Sequence, residues 1–277
     1  MPELPEVEHV VRALRRSVNG SRIVASEVTL PKLISPLSTA VFNRKLKNAR
    51  ITAVNRRGKY ILIELDNRLT LAVHLRMTGQ FLVLKPDDEL PRHAHAVFYL
   101  EDERRLVFRD QRQFGVMKLL ASSRINTLKG ISELAPEPFS DEFSLAYLKE
   151  TLAKSRRTLK TLLLDQTRVL GLGNIYAAEA LFRARINPFK IASELSTKRV
   201  TRLHQAIRDV LRAAVSGNSS SRISLENAEG FSYGEAFGRI WQVYEREGEP
   251  CFKCGARIRR LTHGGRSTYW CPTCQRR

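Results

Sequence analysis

Apolar residues recur at Val7, Val10, Val11, Leu14 and Val18, which is one face of a 3.6-residue period, and Gly20 stands where such a helix can end. From about Ile23 to Leu120 the pattern shortens to strands. Tyr60–Leu65, Leu69–Leu75 and Gln80–Leu84 read as extended runs with a tight turn at Asp66-Asn67, and Ala94–Tyr99 with Arg105–Phe108 reads as a hairpin around Glu101-Asp102. The pattern predicts an antiparallel β-sandwich or barrel-like sheet behind an N-terminal helix.

Ala135-Pro136-Glu137-Pro138 breaks the pattern and reads as a linker. Beyond it the helical period returns. Ser140 and Ser155 are candidate N-caps, Leu145, Leu148 and Leu152 share one face, a third helix follows Gly171-Leu172-Gly173-Asn174 and ends at Asn187-Pro188, and a fourth runs from near Ser196 to Gly217. Gly217–Ser221 reads as a loop. The chain is thus an α+β protein with a sandwich over residues 1–134, a linker at 135–139, a helical domain over 140–240 and a C-terminal unit over 241–277.

Lys and Arg number 47 against 28 Asp and Glu, a net charge of +19. That excess suits a polyanion far better than a small neutral ligand, so nucleic acid is the leading partner. No apolar run approaches the roughly 20 residues a membrane span needs, and the N-terminus lacks the charged-then-apolar pattern of a signal peptide. A cytoplasmic protein without a membrane partner is expected.

The four cysteines are Cys251, Cys254, Cys271 and Cys274. Two Cys-x2-Cys pairs separated by 16 residues suit a tetrahedral thiolate site for Zn2+, closed by four protein ligands and so structural. Disulfides are the competing reading, disfavoured in a reducing compartment. Between the pairs, Ile258–Trp270 reads as two short strands around Gly264-Gly265. Residues 251–277 carry seven Lys/Arg and no Asp or Glu, which suits a finger for a phosphate backbone.

At the other end stands Met1-Pro2-Glu3-Leu4-Pro5-Glu6. Removal of Met1 would leave a secondary amine at Pro2 between carboxylates. An α-amino group titrates at about 7.7–8.0 and a lysine near about 10.4, so the terminal amine is the more available nucleophile at neutral pH. Three further segments lie at strand ends: Arg56-Arg57-Gly58-Lys59-Tyr60, His74-Leu75-Arg76-Met77-Thr78-Gly79 and Asp110-Gln111-Arg112-Gln113-Phe114-Gly115. Taken singly, such a Lys is ordinarily a solvated charge, such a His a packing residue and such a Met or Phe core. Arg, Met and Phe presented together in so basic a chain are also what a wedge into a base stack requires.

With these motifs in order, together with Gly171-Leu172-Gly173-Asn174-Ile175-Tyr176-Ala177 and the cysteine pairs, the chain resembles the bacterial formamidopyrimidine-DNA glycosylases from end to end. Leu4 separates it from the sister endonuclease VIII-like branch, which usually carries Gly there. The resemblance implies a bifunctional glycosylase and abasic-site lyase of base excision repair, acting on oxidised purines as a monomer on damaged double-stranded DNA. It implies a helix–two-turns–helix domain, a zinc hairpin, and DNA held between the halves.

By the same resemblance Pro2 is the nucleophile that attacks C1′, and Glu3 is the acid that assists sugar opening. Glu6 supports the helix and site, Lys59 is a second essential cation, and Lys160 influences oxidised-purine processing. His74, Asn174 and Arg266 are implied phosphate contacts, Arg266 with a part in the catalytic set, and Tyr176 joins the DNA-binding group. Met77, Arg112 and Phe114 fill the gap left by the extruded base, Arg112 facing the orphaned cytosine.

The chain departs from the family's pattern at three places. Gln111 and Gln113 replace a usual Pro and a basic residue, residues 217–238 form a less familiar lesion-covering loop, and Glu245 replaces a usual glycine. A glycosylase for oxidised pyrimidines and a non-enzymatic DNA-binding protein are the alternatives, opposed by Leu4 and by intact Pro2, Glu3 and Lys59 respectively.

Overall fold

The computed structural model describes residues 1–216, 224–226 and 241–276. They form two compact units, residues 1–132 with 224–226 and residues 133–216 with 241–276. The first opens with helix α1 (Leu4–Val18), whose apolar face Val7, Val10, Val11, Leu14 and Val18 is buried as its period predicts. Gly20 adopts φ +86 just past the helix and donates its N–H to Ile51 O at 2.8 Å, a left-handed exit that glycine makes without strain.

Eight strands follow as two antiparallel four-stranded sheets. One carries β1 (Ile23–Val28), β6 (Ala94–Leu100), β7 (Arg105–Arg109) and β5 (Gln80–Leu84) in that order, and the other β2 (Ile51–Arg57), β3 (Tyr60–Leu65), β4 (Leu69–His74) and β8 (Val116–Ala121). Residues such as Ile61, Ile63, Val73, Phe81, Phe98 and Phe108 join one apolar core with the buried face of α1. Besides the longer connection from β1 to β2, two short segments leave one sheet for the other: 75–79 joins β4 to β5, and 110–115 joins β7 to β8.

Helix α2 (Thr39–Leu46) interrupts the expected run of strands. Ser38 Oγ accepts from Val41 N at 3.3 Å, and Phe42 with Leu46, one turn apart, are fully buried. The Ser cap and that i, i+4 pair are a helix signal that the surrounding strand period masked.

The second unit begins at Glu133. Its Ala135 is buried and donates to Gln166 O at 3.0 Å, so the stretch read as a linker is built into the helical unit. Helix α3 (Leu145–Ala153) is capped by Ser144 Oγ, which accepts from Tyr147 N at 3.1 Å, while α4 (Leu159–Leu163) starts after Thr158, whose hydroxyl makes no cap bond and pairs with Thr161 and His263. Ser140 and Ser155, the predicted caps, instead bond Glu137 O and Arg157 N in the preceding turns. Helix α5 (Asn174–Arg183) starts where expected but stops at Ala184. Asn187 does not end it: its side chain accepts from Phe189 N and donates to Gln275 O. Helix α6 (Thr197–Ser216) completes the bundle, and β9 (Arg259–His263) pairs with β10 (Arg266–Trp270) around Gly264 and Gly265, both at positive φ. The expected lesion-covering loop at 217–238 lies outside the described residues except for 224–226. No helix among the described residues is long and apolar enough to cross a membrane.

Candidate active site and metal centre

Pro2 is buried while Met1 is 51 % exposed. Glu3 is the N-cap of α1. Its carboxylate accepts from the N–H of Glu6, and Glu6 Oε2 accepts from Glu3 N at 2.8 Å. This reciprocal box satisfies two N–H groups that have no partner within the helix and places negative charge at its positive end. Both carboxylates are buried, so the first two residues stand on a fixed base.

Lys59 is also buried and sits in the two-residue turn between β2 and β3, where Gly58 takes φ +57. The turn is tied to α1 through Arg56, which donates to Glu8 Oε2 at 3.0 Å and to Gly58 O at 2.9 Å. Burial alone would raise the Glu8 pKa, but Arg56 and then Arg12 outweigh it and hold the carboxyl below its ordinary value. One ion-paired arginine therefore locates the Lys59 turn against the helix that carries Pro2.

His74 ends β4 edge-on to Tyr60, with ring centroids 4.8 Å apart. Burial, then the charges of Arg76 and Lys59, depress its pKa to about 3. Its Nδ1 accepts from Arg76 N at 3.0 Å, which leaves the proton of the neutral ring on Nε2. At neutral pH the His74 ring is thus a neutral hydrogen-bond donor.

Met77, Arg112 and Phe114 come together at the two short segments, 75–79 and 110–115, that pass between the sheets. Met77 is 40 % and Phe114 52 % exposed. The Arg112 guanidinium lies 5.0 Å from the Phe114 ring centroid, and its Nη1 is 2.9 Å from Met77 Sδ. Buried Asp110 organises the segment. Its Oδ2 accepts from Gly115 N at 2.6 Å, its Oδ1 accepts from the Thr78 hydroxyl, and its carbonyl accepts from Gln113 N at 3.1 Å. The turn therefore closes without the proline usual at position 111.

In the second unit Lys160 is fully buried and donates from Nζ to Asn174 O at 3.3 Å. Asn174 Nδ2 donates to Ser267 O at 3.0 Å, joining the start of α5 to the hairpin. Arg266 stands exposed at the hairpin turn. Beside Asn174, burial and then Glu245 push the Tyr244 hydroxyl up to about 12, which keeps it a neutral donor. Tyr176, expected among the DNA contacts, offers no exposed surface. Its ring packs edge-on against Trp241 at 5.6 Å, so it acts here as a packing residue. Glu245 takes φ +57, where glycine would be unstrained.

The four cysteine Sγ atoms all lie within 4.8 Å of one another. Tetrahedral Zn–S bonds of about 2.3 Å place thiolates about 3.8 Å apart, so the cluster fits one zinc ion. Backbone N–H groups of Lys253 and Cys274 point at Cys251 Sγ and Cys271 Sγ, each at 3.4 Å. Glu179 on α5 accepts from the N–H groups of Gln242, Val243 and Tyr244 at 2.9–3.0 Å, and Gln275 joins Cys271 N to Ile186 O. Buried polar groups thus hold the hairpin to the helices.

Sequence reading gave no role to Asp110, Thr78, Arg56, Glu8, Glu179 or Tyr244. The turn segments holding Asp110, Thr78 and Arg56 stood out, but hydrogen-bond partners 32 to 65 residues away in sequence carry no local pattern.

An antiparallel two-sheet unit led by a proline-bearing helix, with a helical unit closed by a four-cysteine hairpin, defines a modular class that family models identify. The formamidopyrimidine-DNA glycosylase N-terminal domain matches residues 1–117, its H2TH domain 134–224, and a zinc finger found in FPG and IleRS 248–277. A formamidopyrimidine-DNA glycosylase of Pelotomaculum thermopropionicum is 44 % identical over 276 residues, covering 100 % of this chain and 99 % of the relative. Among solved structures, MutM in complex with carbocyclic 8-oxo-G containing DNA superposes with a TM-score of 0.89 at 34 % identity, covering 100 % of both chains. A Lactococcus lactis FPG mutant in complex with Fapy-dG containing DNA gives 0.89 at 33 %, again over 100 % of both. The chain belongs to the formamidopyrimidine-DNA glycosylase family, and its four cysteines form that family's zinc finger, a site for one structural zinc ion.

Proposed function

We propose that this protein excises oxidised purines, 8-oxoguanine and formamidopyrimidines, from double-stranded DNA and then cuts the strand as an abasic-site lyase. The observation that carries the reading is the N-terminal end of α1, where Pro2 is buried beside the reciprocal Glu3–Glu6 box. Once Met1 is gone, the Pro2 nitrogen lone pair attacks C1′, and the base leaves with the electrons of the glycosidic bond. Glu3 supplies the proton that lets the sugar ring open. The product is an iminium between Pro2 and C1′, whose electron withdrawal acidifies C2′ and permits loss of the 3′ and then the 5′ phosphate, β- and δ-elimination.

Lys59 and Arg266 complete the catalytic set as its cations, and the remaining residues serve binding. In the first unit Lys59 supplies cationic charge and His74 a neutral donor, and in the second Arg266 and Asn174 do the same, each pair suited to phosphate contact. Met77, Arg112 and Phe114 offset the few kcal/mol of unstacking that extrusion costs.

Borohydride reduction during turnover should trap a covalent adduct on 8-oxoguanine DNA, and peptide mapping should place it on Pro2. A Pro2→Gly variant does not decide the matter, because glycine leaves a primary amine. Protein that keeps Met1 or carries an N-terminal tag is the sharper test, and full activity in it would remove the nucleophile. Preference for thymine glycol over 8-oxoguanine would move the assignment to oxidised pyrimidines.

A further inference from the structure

The three wedge side chains arise from two turns far apart in sequence, and each turn alone is a short exposed connection. Besides the Arg112–Met77 contact, their backbones are joined at one half-buried junction. Thr78, in the Met77 turn, donates its hydroxyl proton to Asp110 Oδ1 and accepts from the Arg112 N–H at 3.0 Å. That single hydroxyl joins the turn carrying Met77 to both the base and the tip of the turn carrying Arg112 and Phe114. Asp110 is 1 % exposed. Besides the Thr78 hydroxyl, its carboxylate accepts from Gly115 N at 2.6 Å. Its main chain is held from the neighbouring strand: Asp110 N donates to His93 O at 3.0 Å, and its carbonyl lies 3.0 Å from His95 Nε2.

The same junction is closed sterically. A Cβ added at Gly79 would meet Leu75 O at 2.5 Å and the Phe108 ring at 2.8 Å, and one added at Gly115 would meet that ring at 2.7 Å and Asp110 Oδ2 at 3.0 Å. Both turns therefore seat their ends on fully buried Phe108, and neither can shift without opening the core.

We infer that Thr78 and Asp110 are specificity-determining positioning residues that fix Arg112 relative to Met77, so that recognition of the base opposite the lesion depends on a hydroxyl and a carboxylate that touch no DNA. The inference rests on the proposed glycosylase reading, in which Arg112 faces the orphaned base. Without the Thr78 hydroxyl the Arg112 N–H loses its acceptor and Asp110 keeps an unbonded charged oxygen. The Arg112 turn is then free to take other positions over the gap. A guanidinium that is no longer aimed discriminates less between a cytosine, which offers acceptors, and an adenine of different shape.

The test is single-turnover excision of 8-oxoguanine opposite cytosine and opposite adenine, with borohydride trapping on a preformed abasic site as the control for chemistry. Thr78→Val should lower the cytosine-to-adenine rate ratio on the order of tenfold, the effect of losing about one aimed hydrogen bond, while trapping is kept. Thr78→Ser, which retains the hydroxyl, should restore the ratio. Asp110→Asn turns one acceptor into a donor and should lower the ratio as Thr78→Val does. In the double variant the loss should not exceed that of either single change, as expected for one junction.

An unchanged ratio in folded Thr78→Val would overturn the inference, as would equal loss in Thr78→Ser. If Asp110→Asn fails to fold, the valine and serine pair still decides. Wild-type protein that forms no adduct and releases no purine would instead defeat the glycosylase reading, and this inference with it.

Discussion

The two-sheet unit and the cysteine hairpin reach order by opposite means. Two four-stranded sheets with α1 and α2 bury a continuous apolar core, and the site residues ride on turns whose ends that core fixes. The hairpin has no such reserve. Along β9, Arg259, Arg260, Leu261 and Thr262 are exposed, and its buried cluster is limited to Val243, Cys251, Ile258 and Cys271 packed on Ala178 and Phe182. In the first region, losing a polar tie should misdirect a side chain while the fold survives. In the second, a polar tie or the metal is much of the fold.

Zinc removal is the severest test of that contrast. Structural zinc contributes about 10–16 kcal/mol in such small units, so chelation or Cys271→Ser should abolish amide protection across β9 and β10 while β1–β8 stay protected. Protection of the hairpin that persisted without metal would put its stability elsewhere.

Next in size is Glu179, whose carboxylate receives three backbone N–H groups. Glu179→Ala leaves those donors to find water and should cost about 3 kcal/mol in the second unit. A melting temperature unchanged from wild type would show that the connection is held by packing alone.

Cutting the Arg56 tie probes the two-sheet unit, where Arg56→Met should cost about 1–2 kcal/mol and move the Lys59 turn without unfolding the sheets. The penalty should depend on pH. The folded Glu8 pKa lies below its ordinary 4.5 because Arg56 and Arg12 outweigh burial, so its stabilisation is complete above that value and is lost as pH falls through the folded one. Wild type and variant should therefore converge in stability at acid pH, and a constant gap down to acid pH would contradict the pairing.

His74 sets a test of protonation state. With its pKa near 3, its ring resonances should not titrate between pH 5 and 8. A folded pKa below the ordinary 6.5 means stability is full above 6.5 and declines on acidification toward 3. A midpoint near 6.5 would contradict the burial and the neighbouring charges of Arg76 and Lys59 that disfavour the charged ring. Smallest of all, Glu245→Gly should raise stability by a few tenths of a kcal/mol, since relief of the positive φ at that position is partly offset by glycine's entropy. A loss of stability would mean the Glu245 side chain has a role that its backbone conformation hides.

Much of the contrast was legible in the chain. Helix α1, the strand pairs β3–β4 and β6–β7, helix α6 and the cysteine site all follow from periods of 3.6 and 2 or from ligand spacing, and each is a local or near-local pattern. The caps were displaced because several Ser and Thr residues stand within reach of each helix start, and only Ser144 and Thr158 lie where the packed bundle lets the chain turn. The α2 helix was missed because eight residues between strands give too few periods to count. Tyr176 could not be separated from its surface neighbours by motif: Asn174 and Tyr176 are two residues apart, and on a helix that spacing points them to different faces.

The order of elements, the excess of positive charge, the proline-led N-terminus and a four-thiolate site are properties of composition and short-range spacing, and the amino-acid string determines them by itself. Which buried or half-buried carboxylate holds which turn was decided only in three dimensions. Asp110 meets Thr78, Arg56 meets Glu8, and Glu179 meets the chain at 242–244 because the core brings distant segments within hydrogen-bonding range. A buried charge must then find its partner in space, whatever the distance along the chain.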